Sequence, residues 1–180
     1  MRRILNLWED FFNTQEDNIK KGSKLIVSAL RKGNKILAAG NGGSASQASH
    51  FIGEIAGRFE KKIIPFPAIC LNSDMALLTA LSNDFGYESV FSYQIEGLGK
   101  KGDAFVVLTT SGKSKNIIKA AEKAKEKELL LISLTGKGES YLDKISDISI
   151  KVPSERTARI QEIHLYVLHR FAEEIDNSLR

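Results

Sequence analysis

The chain has 180 residues, 42% hydrophobic and 27% charged, a balance that excludes a wholly disordered chain or an all-helical coiled coil and predicts a packed core. A domain of that length buries roughly 70% of the surface its unfolded chain exposes, so no stapling disulfide is required. The formal net charge of +4 comes from lysines interleaved with acids, as in Lys119 to Glu128; such a solvated helix face is not the one-sided basic stripe of a nucleic-acid binder, although mild positive charge suits an anionic substrate.

Ile4, Leu7, Trp8, Phe11, Phe12, Ile19, Leu25, Ile26 and Leu30 recur at near-helical spacing, interrupted only by Gly22, and predict a long N-terminal amphipathic helix. A short apolar run from Lys35 to Ala39 stops at Gly40 and gives way to a helical stretch from Ser44 to Phe59. The order strand, turn, helix then recurs: Ala68 to Leu71 before a helix near Met75 to Leu81, and Ala104 to Leu108 before one near Asn116 to Lys127. Leu129 to Leu134 and Ile148 to Val152 read as further strands, and a last helix covers about Thr157 to Ser178. Short apolar strands alternating with helices predict an α/β fold of three layers, a parallel sheet with helices on both faces. No repeat, linker or low-complexity block interrupts the pattern, so residues 1–180 are expected to form one domain, with 1–31 packing on it or on a neighbouring subunit. The longest apolar runs fall far short of the roughly 20 residues that span a bilayer, and the N-terminus has no signal-peptide order, so the expected location is the cytoplasm, with no membrane partner. The single cysteine, Cys70, sits among apolar neighbours and reads as a small buried hydrophobe.

Two turns carry chemistry. Gly40-Asn41-Gly42-Gly43-Ser44-Ala45 follows a strand and opens a helix, where backbone N–H groups and the Ser44 hydroxyl suit a phosphate or polyol. It is a weak dinucleotide fingerprint, because the next strand is followed by Asn72 and not by an acid, and a purely structural turn is the plain alternative. Thr109-Thr110-Ser111-Gly112-Lys113-Ser114 lacks the first glycine of a P-loop, since Val107 stands there, which leaves four hydroxyls and a helix N-terminus to wrap an anion. Both turns lie at carboxyl ends of strands and favour one ligand crevice.

His50 and Glu54, four residues apart on one helix face, can hold one metal ion, exchange protons with a substrate, or simply face solvent. On the last helix, at about 100° per residue, His164 falls within the stripe of Ile160, Ile163, Val167, Phe171 and Ile175 and reads as a core histidine. His169 lies roughly opposite the stripe and Gln161 off its edge, so core packing explains neither. They are about 12 Å apart along the axis. That spread predicts a site completed by residues of another subunit.

Residues 40–58 (GNGGSASQASHFIGEIAGR), 82–88 (SNDFGYE), 109–114 (TTSGKS), 134–137 (LTGK) and 158–169 (ARIQEIHLYVLH) closely resemble bacterial phosphoheptose isomerases, members of the sugar-isomerase (SIS) fold, over nearly the whole chain and in the same order. The resemblance implies conversion of sedoheptulose 7-phosphate to D-glycero-D-manno-heptose 7-phosphate. It places substrate binding on Asn41, Gly42, Gly43, Ser44, Glu54, Asn83, Asp84, Thr109, Thr110, Ser111, Ser114 and Gln161. It places zinc ligands on His50, Glu54, Gln161 and His169, makes Glu54 and His169 the acid-base pair, and implies a cytoplasmic homotetramer with active sites between subunits. Three positions depart from the family: Thr109 replaces a serine but keeps its hydroxyl, Lys113 replaces an asparagine, and Gly53 stands where a second glutamate is common.

Interconverting a ketose and an aldose moves one proton between C1 and C2 and another between the oxygens, which requires a base, an acid and enediolate stabilisation but no redox cofactor. A carboxylate bound tightly to zinc is a poorer base, which sets ligation against proton abstraction at Glu54. The competing reading is a non-catalytic SIS protein that binds a replication initiator or senses a sugar phosphate; in such relatives the positions of Glu54 and His169 are typically not acid-base residues, whereas here both are intact.

Overall fold

A computed structural model describes residues 2–60 and 64–179; Met1, residues 61–63 and Arg180 lie outside the described residues. Helix α1 (Arg2–Arg31) runs unbroken through Gly22. Gly22 is where α1 meets the last helix, α7 (Thr157–Leu179): a Cβ there would come 3.1 Å from the Phe171 ring. The apparent interruption in the helical pattern is therefore a close helix crossing.

Strands β1 (Ile36–Gly40), β2 (Ala68–Cys70), β3 (Ala104–Thr109), β4 (Leu130–Thr135) and β5 (Ile148–Lys151) form one parallel sheet in the order β2-β1-β3-β4-β5. Period-two alternation splits its side chains between two cores. Ile36, Ala38, Val106, Leu108, Ile132 and Leu134 pack with α1, α2 (Gly43–Ala56) and α7. Leu37, Ala39, Phe105, Val107 and Leu131 pack with α4 (Val90–Leu98), α5 (Lys115–Glu126) and α6 (Leu142–Ile145). These are the three layers read from the sequence, with α4 and α6 as additions.

The order reverses between β1 and β3. Helix α2 leaves β1 toward one face and α5 leaves β3 toward the other, which opens a crevice at the carboxyl ends of those strands. Strand β2 ends early, and Asn72 takes over its pairing: its Oδ1 accepts from Gly40 N–H at 3.2 Å and its Nδ2 donates to Gly40 O at 2.9 Å. An amide spent on the backbone in this way has no ribose to bind. Helix α2 stops at Ala56, short of the expected Phe59: Gly57 leaves the helical conformation with φ −106 and ψ −117, where a Cβ would sit 2.7 Å from the Gly53 carbonyl oxygen and only glycine fits. Helix α3 (Met75–Phe85) is capped by Asp74, which accepts from Leu77 N–H, and none of its residues is buried.

Cys70 is buried, and that burial pushes its thiol pKa up, in keeping with an inert packing role. His164 is fully buried, as the stripe predicted. Its Nε2 lies 3.3 Å from the Thr135 carbonyl, which can only accept, so Nε2 carries the hydrogen and Nδ1 is left without a partner. Burial drives its pKa from 6.5 down to about 4. The fold thus favours the neutral ring: the stabilisation is complete above pH 6.5 and is lost as pH falls toward about 4. Urea unfolding is expected to lose up to about 3 kcal/mol over that interval through this residue. His164→Leu should flatten that part of the stability–pH curve, and an unaltered slope would contradict the assignment.

Candidate active site

The crevice holds a hollow of about 320 Å³ lined by Asn41, Gly42, Gly43, Ser44, Thr109, Thr110, Ser111, Ser114, Thr157 and Gln161 among others. Both helices that point into it, α2 and α5, start without a side-chain cap on Gly42 and Ser114. Capped α3, by contrast, lies outside the lining. Asn116 takes the Ile117 N–H in the first turn of α5, and the remaining backbone donors and the positive end of each helix dipole are left for an anion. Gly42 has φ 55 and ψ −124, a region open essentially to glycine alone. A Cβ on Gly43 would lie 2.5 Å from Gln161 Nε2, so glycine here lets α7 bring that amide against the start of α2. The Gln47 side chain donates to the Gln161 carbonyl at 2.6 Å and ties the two helices together. In the second turn, Thr109 and Ser114 hydroxyls are 3.3 Å apart and Lys113 N–H donates to Ser111 Oγ.

Further along the same two helices, His50 Nε2 and His169 Nε2 face each other at 2.9 Å. Only one of these nitrogens can carry a hydrogen. Glu54 Oε1 is 3.3 Å from His50 Nε2, and the ligand atoms of the three residues all lie within 4.8 Å of one another. The Phe59 ring, released by the early end of α2, packs on His169 at 5.8 Å. Two zinc-bound nitrogens, each about 2.0–2.1 Å from a tetrahedral ion, lie about 3.3 Å apart. A two-nitrogen, one-carboxylate set with its nitrogens already 2.9 Å apart therefore fits such an ion with a small adjustment. The trio lies about 9 Å from the hollow along α2, from Ser44 to His50, and about 12 Å along α7, from Gln161 to His169.

Helix α2 crosses α7 and brings His50 and Glu54 to His169 within one chain, whereas Gln161 stays at the hollow with its side chain against Gly43, so the spread between Gln161 and His169 expected from α7 is retained.

A family model described as "SIS domain" matches residues 1–136. The phosphoheptose isomerase of Campylobacter jejuni is 44% identical over 158 residues, 88% of this chain and 85% of that protein. That of Shewanella halifaxensis is 45% identical over 166 residues, 91% of this chain and 84% of its own length. Among solved structures, the phosphoheptose isomerase of Francisella tularensis superposes with a TM-score of 0.94 at 36% identity, covering 98% of this chain and 94% of that one. That of Neisseria gonorrhoeae gives 0.91 at 35%, with the same coverage. This chain belongs to the SIS-domain family, among the phosphoheptose isomerases.

Of the residues singled out by resemblance to the phosphoheptose isomerases, those of the two turns and Gln161 line the hollow, and His50, Glu54 and His169 form the trio. Gln161 lies over Gly43 at the hollow. Asn83 and Asp84 are not brought to it: they pair with each other on exposed α3 at 3.0 Å. Lys113 is exposed and outside the lining, and Gly53 has open space where a side chain would project. Sequence reasoning missed Asn116 and Tyr87, which hold Asn41 from two sides; an asparagine just behind four hydroxyls, in the first turn of α5, was the available signal. Gly43→Ala is expected to displace Gln161 and weaken binding of inorganic phosphate about tenfold by calorimetry, or about 1.4 kcal/mol. Unchanged affinity would contradict the hollow as an anion site.

Proposed function

We propose that the chain isomerises sedoheptulose 7-phosphate to D-glycero-D-manno-heptose 7-phosphate through an enediolate, in bacterial heptose biosynthesis. The observation that carries this reading is the His50, Glu54 and His169 trio, placed beyond an anion hollow on the two helices that bound it. Separations of about 9 and 12 Å are of the order of an extended heptose phosphate. Phosphate at one end of such a molecule would leave its C1 and C2 near the trio.

In this reading Asn41, Gly42, Gly43, Ser44, Thr109, Thr110, Ser111, Ser114 and Gln161 bind the sugar phosphate, and holding it in register supplies several kcal/mol of the barrier lowering. Glu54 takes the C1 proton and returns it at C2, while His169 moves the proton between the oxygens. His50, Glu54 and His169 would hold zinc, which when bound supplies a Lewis acid for developing negative charge, whereas Gln161, expected as a fourth ligand, stands at the hollow in this chain. The acid-base pair is what a purely binding SIS protein would not need.

Assembly into a cytoplasmic homotetramer completes the reading. Helix α3 presents Met75 at 75% and Phe85 at 51% exposure with no residue buried, an apolar surface suited to a second copy, and a neighbour's α3 would bring Asn83 and Asp84 to a site. No helix among the described residues is long and apolar enough to cross a membrane.

A coupled assay with sedoheptulose 7-phosphate is expected to show turnover by the wild type and a loss of about a hundredfold or more in kcat for Glu54→Gln and for His169→Gln. Unchanged kcat in both variants would remove the acid-base assignment, and an inactive, metal-replete wild type would favour the binding protein. Metal analysis should find about one zinc per chain, and full activity after complete metal removal would contradict the zinc assignment. Light scattering should give a tetramer; an active monomer would contradict the shared site.

A further inference from the structure

Asn41 projects from the first turn and lines the hollow, and its amide is fixed by a network outside the assigned site. The decisive partner is Asn116, 4% exposed in the first turn of α5. Ile117 N–H donates to Asn116 Oδ1 at 3.0 Å, and a backbone donor can face only an oxygen, so the orientation of this amide is not ambiguous. The same Oδ1 accepts from Asn41 Nδ2 at 2.9 Å, and Asn116 Nδ2 donates to Asn41 Oδ1 at 2.9 Å. The two amides thus form a reciprocal pair across the crevice, joining the turn after β1 to the helix after β3. Tyr87, in the 3-10 turn before α4, adds a third bond from its hydroxyl to Asn41 Oδ1 at 2.9 Å.

An amide offers two acceptor sites on oxygen and two hydrogens on nitrogen. Both acceptor sites of Asn41 are occupied and one hydrogen is used, which leaves a single N–H. A free asparagine can rotate to present either oxygen or nitrogen to a ligand. This one cannot. We propose that Asn116 and Tyr87 are positioning residues that make Asn41 a dedicated hydrogen-bond donor toward the bound molecule, so that the hollow takes an acceptor there, a phosphate or hydroxyl oxygen, and rejects a ligand that presents a donor alone. The proposal rests on the reading of the hollow as a sugar-phosphate site.

The test uses the full chain, with steady-state kinetics and calorimetric binding of sedoheptulose 7-phosphate for wild type, Tyr87→Phe, Asn116→Leu, Asn41→Ala and the double variant Asn41→Ala/Asn116→Leu, each checked for its thermal midpoint. Tyr87→Phe removes only a hydroxyl from a half-exposed ring and is expected to fold normally while raising KM and Kd about threefold. Asn116→Leu is expected to raise both about tenfold with kcat within about twofold of wild type, because the lost contact is uniform binding. In the Asn41→Ala background, Asn116→Leu should cost nothing further, since its effect runs through Asn41. Wild-type KM and Kd in Tyr87→Phe and Asn116→Leu, or losses that add in full to that of Asn41→Ala, would overturn the proposal. Should Asn116→Leu fail to fold, Tyr87→Phe alone and in the Asn41→Ala background decides by the same criteria. A wild type that binds the sugar phosphate without turning it over would defeat the isomerase reading and leave Kd to judge the network; a wild type that does not bind would overturn both.

Discussion

The crossing of α2 over α7 on one face of the sheet sets the distances among the first glycine turn, Gln161 and the group of His50, Glu54 and His169. Phe51 and Phe171 meet there with ring centroids 6.2 Å apart, both fully buried, within the cluster that also takes Ile52, Ile55, Val167 and Leu168. Each buried aromatic contributes about 1.5–3 kcal/mol, so the crossing is held firmly by apolar packing. The polar faces of the two helices then have no freedom to separate. At one end of the contact Gln161 lies over Gly43; at the other His50 faces His169. One packing event therefore brings Gln161 to the first turn and His50 and Glu54 to His169, and fixes the span between the two places.

The second constraint is the reversal of strand order between β1 and β3, which sends α2 and α5 to opposite faces. Neither Gly42 nor Ser114 spends a side chain on the start of its helix, so a bound anion at the crevice would meet backbone donors and the positive end of each helix dipole. The reciprocal amide pair of Asn41 and Asn116 spans the crevice and sets how the two turns face each other.

Much of this was legible in the sequence where a single element carried the signal. The strands β1 and β3 end at their turns as read, and the placement of His164 on the buried stripe and of His169 off it followed from helical period alone. Helix α4 was not read, because Val90, Phe91 and Ile95 give too few apolar positions to establish a period. Gly22 looked like an interruption since the sequence records a missing side chain but not the Phe171 ring that occupies its space. The meeting of His50, Glu54 and His169 was invisible for a deeper reason: it depends on the crossing of helices more than a hundred residues apart, and spacing along either one says nothing about that angle. Asn83 and Asp84 show the reverse case, residues marked by resemblance that α3 holds away from the hollow in this chain.

The account's central claim is that Glu54 and His169 move protons on a ketose held by its phosphate, and its most direct test is the reaction run in deuterium oxide, with the product followed by nuclear magnetic resonance. Because the proton held by Glu54 can exchange with solvent before it is returned, transfer through an enediolate predicts deuterium in at least part of the C2 position of the aldose phosphate formed by the wild type, and no detectable exchange at C1 or C2 with Glu54→Gln. Exchange into the carbon-bound positions that Glu54→Gln leaves undiminished would contradict the account.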